Sequence, residues 1–135
     1  MRRVNLLICF SLALAVAATS RSVRDGVYTK AQANRGENTY KLECARCHGE
    51  NLLGGDEAPA LAGADFIEKW NGNPVGRIYE LILKTMPSDG PGTMSAKQSS
   101  DIVAYLLSAN ELPAGQKELA TDAAALNEIR IEPKQ

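Results

Sequence analysis

Two cysteines and one histidine stand within a five-residue run, Cys44-Ala45-Arg46-Cys47-His48, with Gly49 directly after. His48 is the only histidine in the 135-residue chain. Two thiols and an imidazole at this spacing serve three chemistries: a structural zinc site, a dithiol redox pair, or covalent attachment of a haem. A structural zinc takes four ligands, usually as two pairs of Cys or His. The one further cysteine, Cys9, lies inside an apolar N-terminal run, so no second pair exists. A thioredoxin-like C-x-x-C follows a strand and opens a helix. Here the motif falls near the end of a helical stretch in a chain poor in strand alternation.

The haem reading fits best. C-x-x-C-H is the spacing in which each thiol adds to one vinyl group and the next residue turns its imidazole toward the iron. With no second histidine, any second protein ligand must be a methionine. Met1 is remote, which leaves Met86 and Met94. Met86 sits where Pro87 ends a helix and the chain opens into Ser88-Asp89-Gly90-Pro91-Gly92, so its thioether can swing across the haem face. Met94 immediately precedes a helix cap and reads as packing, the commoner use of this flexible apolar side chain. Met86 is therefore the expected distal ligand and Met94 the alternative.

Short helices joined by Gly/Pro-rich loops must position these groups. Thr29 and Gln32 fit a capping box that starts the first helix. Ala33, Gly36, Tyr40, Cys44 and Cys47 then share one face, and Gly49 ends the helix. A glycine in mid-helix costs about 1 kcal/mol relative to alanine, so Gly36 suggests close approach by another element. Residues 50–63 read as loop, and 65–70 as a short helix. Asn73-Pro74 starts another helix, with Asn73 as cap. Its stripe is Val75, Ile78, Leu81 and Ile82, and Pro87 stops it. Ser95, with Gln98 in the capping-box position, opens the last strong helix, whose buried face is Ile102, Val103, Leu106 and Leu107. The fold class is all-α, three to four helices with no significant sheet. With so few aromatics, that core looks underfilled without a large apolar group.

Residues 1–20 stand apart. Arg2 and Arg3 precede a 17-residue uncharged run, Val4 to Ser20, that ends in small residues. That is a secretory signal peptide with cleavage between 17 and 20. An uncleaved anchor is the rival, although the run is short for a bilayer span. Export implies a periplasmic protein, membrane-bound only if the segment is retained. The expected organisation is a leader over 1–20, one domain over 21–112, and a C-terminal extension over 113–135 with no assigned role. The whole chain has 15 Lys and Arg against 16 Asp and Glu, and 13 against 16 without the leader. No basic run interleaves with aromatics, which argues against a nucleic-acid partner.

The ordered set resembles class I bacterial cytochromes c, the monohaem type with one axial His and one axial Met. It comprises Gly36-x-x-x-Tyr40-x-x-x-Cys44-Ala-Arg-Cys47-His48-Gly49, Pro59-x-Leu61-x-Gly63-x-x-Phe66, Thr85-Met86-Pro87 and Pro91-Gly92-Thr93-Met94-Ser95, leading into 102–107. It is also similar to cytochrome subunits of quinoprotein and flavoprotein dehydrogenases. The resemblance implies one covalent haem c with its iron, held by Cys44, Cys47, His48 and Met86. It implies that the Pro59 carbonyl meets the second ring nitrogen of His48. Leu61, Ile102 and Leu106 would pack on the ring, Trp70 would reach a propionate, and Gly36 would let the first helix cross the last near Tyr105. The implied role is non-enzymatic electron transfer, Fe(II)/Fe(III), between redox partners such as a dehydrogenase, an oxidase or another cytochrome. The alternatives are a dedicated subunit of a dehydrogenase complex and a haem enzyme or gas sensor with an open sixth site.

Overall fold

The Thr29 hydroxyl accepts from the Gln32 amide at 3.1 Å, and α1 follows over Lys30–Glu43. The computed structural model describes residues 20–132. The expected leader, with Cys9 and its cleavage region through residue 19, lies outside them.

The reciprocal half of the Thr29–Gln32 capping box does not form. The Gln32 amide is buried instead, donating to Ser100 Oγ (3.2 Å) and the Leu119 carbonyl (3.3 Å). Its own oxygen accepts from the Leu119 amide at 2.8 Å. A buried amide must find partners, whereas an exposed cap has water. Gln32 thus ties α1 to the last strong helix and to the tail.

Ala33, Gly36 and Tyr40 are buried on one face of α1, as their spacing predicts. The helix does not run on through the motif. At Cys44 the backbone shifts to φ −120°, ψ −35°, and a separate turn, α2, covers Ala45–His48. A loop leads to α3 (Ala64–Trp70), then α4 (Val75–Thr85). Asn73 does not cap α4. Pro74 takes that position with extended backbone and no side-chain cap, while Asn73 Oδ1 accepts from Arg77 Nη1 at 2.8 Å. Met86 caps α4 at its C-terminus with extended backbone, ahead of Pro87. The last strong helix, α5 (Ala96–Ala109), opens on a complete capping box of Ser95 and Gln98.

α1 packs across α5 at Gly36, where a Cβ would lie 1.8 Å from the Asp101 carbonyl oxygen. The crossing is one turn before Tyr105, the position expected from the resemblance. Tyr105 packs against Tyr40 with the rings tilted at 52° and their centroids 5.3 Å apart. Beside the crossing, Arg35 makes a two-point pair with the Asp101 carboxylate (3.0 and 3.1 Å), and Lys97 adds a third contact at 2.9 Å.

Burial raises the pKa of Asp101, but the hydrogen bonds from Arg35 and Lys97 outweigh it and hold the carboxyl below its ordinary value. A lowered folded pKa contributes stability that is complete above the unfolded value, about 4. That contribution fades as pH falls through the folded value. Acid unfolding followed by helical circular dichroism should show it below pH ~4. Asp101→Asn should lower stability at pH 7 and flatten the acid dependence. An unchanged acid limb in Asp101→Asn would remove this carboxylate from the explanation.

The segment after Pro113, to which the sequence assigns no role, is built into the core. Gly115 N–H donates to the Tyr28 carbonyl (2.7 Å), and Tyr28 Oη donates to the Leu112 carbonyl (2.6 Å). Tyr79 Oη donates to the Thr121 carbonyl at 2.6 Å. A short α6 (Ala123–Asn127), capped by Asp122, packs on α4. The chain then forms β2 (Ile129–Arg130), which pairs in parallel with β1 (Arg21–Ser22), with Arg21 opposite Ile129. Leu119, Leu126, Ile129 and Ile131 are buried in the same cluster as the helices. Among the described residues the fold is helical apart from this two-residue ladder and an isolated bridge between Pro74 and Arg130, as expected. Its helices of seven residues or more are α1, α3, α4 and α5.

Candidate functional site

The Cys44–His48 turn opens onto a cavity of about 440 Å³. Cys44, Cys47 and His48 line it together with Pro59, Leu61, Trp70, Met86, Met94, Ile102 and Leu106. All ten site residues expected from the sequence therefore meet on one cavity. The break at Cys44 separates the two thiols onto consecutive helical turns, and both are half-buried and unbridged. Burial, then Glu43 and Cys47, pushes the Cys44 thiol up to about 11. A dithiol-exchange nucleophile needs the reverse, a lowered pKa that yields thiolate.

His48 is 8% exposed, and its Nδ1 lies 2.8 Å from the Pro59 carbonyl oxygen. A carbonyl only accepts, so Nδ1 carries the proton and Nε2 is left with the lone pair. That tautomer is the one a metal-binding imidazole uses.

The Pro59 carbonyl is itself held. Gly54, with φ 68°, packs so tightly under residues 58–60 that a Cβ would lie 2.6 Å from the Pro59 carbonyl carbon. The Leu61 amide donates to the Leu52 carbonyl at 2.7 Å. Asn110, at the end of α5, clamps the next corner. Its Nδ2 donates to the Leu61 carbonyl (3.0 Å), and its Oδ1 accepts from the Gly63 amide (3.0 Å). Tyr40 Oη donates to the Gly49 carbonyl at 2.7 Å, fixing the end of the motif to α1. Burial, with Cys44 and Tyr105 alongside, pushes this hydroxyl up to about 12.

The other walls come from α3, α4 and α5. Phe66 and Trp70 pack together, ring centroids 6.4 Å apart, with Lys69 Nζ 5.8 Å from the Trp70 ring. The α4 stripe divides: Val75 faces the core, whereas Ile78, Leu81 and Ile82 line the cavity. Leu81 is 40% exposed for that reason. On α5, Ile102 and Leu106 face the cavity, while Val103 and Leu107 pack elsewhere in the core. Sequence reading missed Phe66, Ile78 and Ile82 as cavity residues, because helical spacing marks an apolar face without saying what covers it. It also missed Gly54 and Asn110, whose partners lie in other segments.

The residues present fit a large apolar prosthetic group: an aliphatic and aromatic cavity, two thiols on its rim, an imidazole lone pair, and two thioethers on its lining. A family profile described as cytochrome C oxidase, cbb3-type, subunit III matches residues 31–106, over half the chain. The chain belongs to this cytochrome c family. As a cytochrome c domain it carries covalently bound haem c with iron.

Curated relatives include the cytochrome bc1 complex cytochrome c subunit of Corynebacterium diphtheriae. It is 34% identical over 98 residues, covering 67% of this chain and 31% of the relative. The subunit of the same description from Corynebacterium efficiens is 31% identical over 97 residues, covering 66% and 30%. This cytochrome thus spans about a third of the relatives it matches. Among solved structures, the sulfane dehydrogenase SoxCD of Paracoccus pantotrophus aligns with TM-score 0.54 and 21% identity. That alignment covers 93% of this chain and 67% of the other, a likeness of fold.

Proposed function

We propose that this cytochrome is an exported one-electron carrier. Cys44 and Cys47 form its thioether links, His48 is the proximal ligand and Met86 the distal one. When bound, the haem supplies an iron that cycles between Fe(II) and Fe(III). His/Met ligation and burial favour the reduced form and raise the potential. The observation that carries the reading is the His48–Pro59 contact, which makes Nδ1 the donor and keeps Nε2 for a metal, on a cavity that both methionines line.

The choice of Met86 rests on its setting. Met94 is buried at 7% and belongs to the apolar core, which suits packing. Met86 is half-buried and has left the helix, which leaves its thioether free to turn. The oxidised visible spectrum tests this. A weak far-red sulfur-to-iron band should be lost in Met86→Ala and kept in Met94→Ala. The potential of Met86→Ala should fall on the order of 100 mV, within the ~0.8 V that axial ligands span. Loss of the band in Met94→Ala alone would reverse the assignment. Carbon monoxide binding readily to the native ferrous protein would favour the open-site reading instead.

A second reading, a dedicated subunit of a larger redox complex, is favoured by relatives that are themselves named as complex subunits. Purification from the native cell separates the two: a carrier elutes alone, a subunit with its complex. Among the described residues no helix is long and apolar enough to cross a membrane. The mass of the native protein tests export and attachment together. One haem added to a chain beginning near residues 18–21 is expected; a bare mass would sink the attachment.

A further inference from the structure

The residue between the two cysteines reaches across the mouth of the cavity. Arg46, in α2, pairs through Nη2 with Asp89 Oδ2, three residues beyond Met86. Both side chains line the cavity and both are exposed, at 73% and 57%. The partners lie 43 positions apart in sequence. The turn carrying Asp89 is short and internally bonded: the Gly90 amide donates to the Pro87 carbonyl (2.9 Å), and Thr93 Oγ1 donates to the Gly90 carbonyl (2.7 Å). Through this turn Asp89 is joined to Pro87, the residue directly after Met86.

We propose that Arg46 and Asp89 form an electrostatic latch that holds the Met86 segment closed over the cavity and so sets how often the distal position opens. Arg46 and Asp89 are positioning residues. Arg46 lies between the two cysteines, so it ties the distal loop to the motif that anchors the haem. The inference rests on Met86 as the distal ligand. An exposed pair contributes modestly and is screened by salt. That is enough for a minor open population, because apparent affinity for an incoming ligand scales with the fraction open.

The test uses the haem-loaded protein with carbon monoxide, a neutral probe that binds ferrous iron only after the thioether leaves. Arg46→Gln and Asp89→Asn should each raise apparent carbon monoxide affinity roughly 1.5- to 5-fold. The double variant should go no further than either single one. The swap Arg46→Asp with Asp89→Arg should restore the parent value. Salt at about 0.5 M should bring the parent to the variants' level. In a Met86→Ala background, Asp89→Asn should have no effect, because no thioether remains to be released. Loss of the far-red band in Met86→Ala together with parent-like carbon monoxide affinity in Asp89→Asn would overturn the latch alone. Retention of that band in Met86→Ala would overturn both the ligand assignment and the latch.

Discussion

Gly36→Ala is expected to destabilise the protein by forcing α1 away from α5. Its Cβ would lie 1.8 Å from the Asp101 carbonyl oxygen and 2.4 Å from the carbonyl carbon. Both atoms are backbone in mid-α5, so no side-chain rotation relieves the overlap. The helices must separate, and with them the Tyr40–Tyr105 contact and the Arg35–Asp101 pair. Overpacking in a core costs about 1–3 kcal/mol and sometimes more. A clash with fixed backbone belongs at the top of that range, against the gain of roughly 1 kcal/mol that alanine brings to an unobstructed helix. A net loss of about 2 kcal/mol lowers the melting temperature by roughly 8 °C in a domain of this size. Thermal unfolding by circular dichroism reads it directly. A variant as stable as the parent would mean that α1 and α5 do not cross at Gly36.

The second large effect is removal of residues 119–135. This deletes Leu119, Leu126, Ile129 and Ile131, all buried. Each fully buried aliphatic side chain is worth about 1.5–3 kcal/mol. The four together rival the whole stability of a domain, about 5–15 kcal/mol. The truncation also strips Gln32 of its Leu119 partners and Tyr79 of its Thr121 partner. Leaving such buried groups unsatisfied costs about 1–3 kcal/mol each. The truncated protein should lose its cooperative transition in urea, whether or not haem is attached. Cooperative unfolding with an unchanged midpoint would return the tail to the status of an appendage.

What the sequence determined by itself was the chemistry and the local elements. Cys44, Cys47 and His48 stand within five positions, so the role proposed for them was read without any distant residue. Ser95 and Gln98 cap α5 through contacts three residues apart. The face of α1 is readable because side chains three and four apart share a side. Each of these signals spans one helical turn or a few, a range in which the backbone geometry is already known.

The tertiary structure alone decided the rest. Thr29 and Gln32 carry the same cap signal as Ser95 and Gln98, yet Gln32 abandons it for Leu119, 87 positions away. Burial makes the distant partners worth more than the local one. Asn73 likewise yields its cap position to Pro74. The tail is weakly patterned because it contributes scattered apolar residues to a core framed by α1, α4 and α5, without a face of its own. Gly54 under Pro59, Asn110 on Leu61 and Gly63, and Arg46 on Asp89 join segments that no spacing rule connects. Periodicity records which side of an element is covered; only the folded chain decides what covers it.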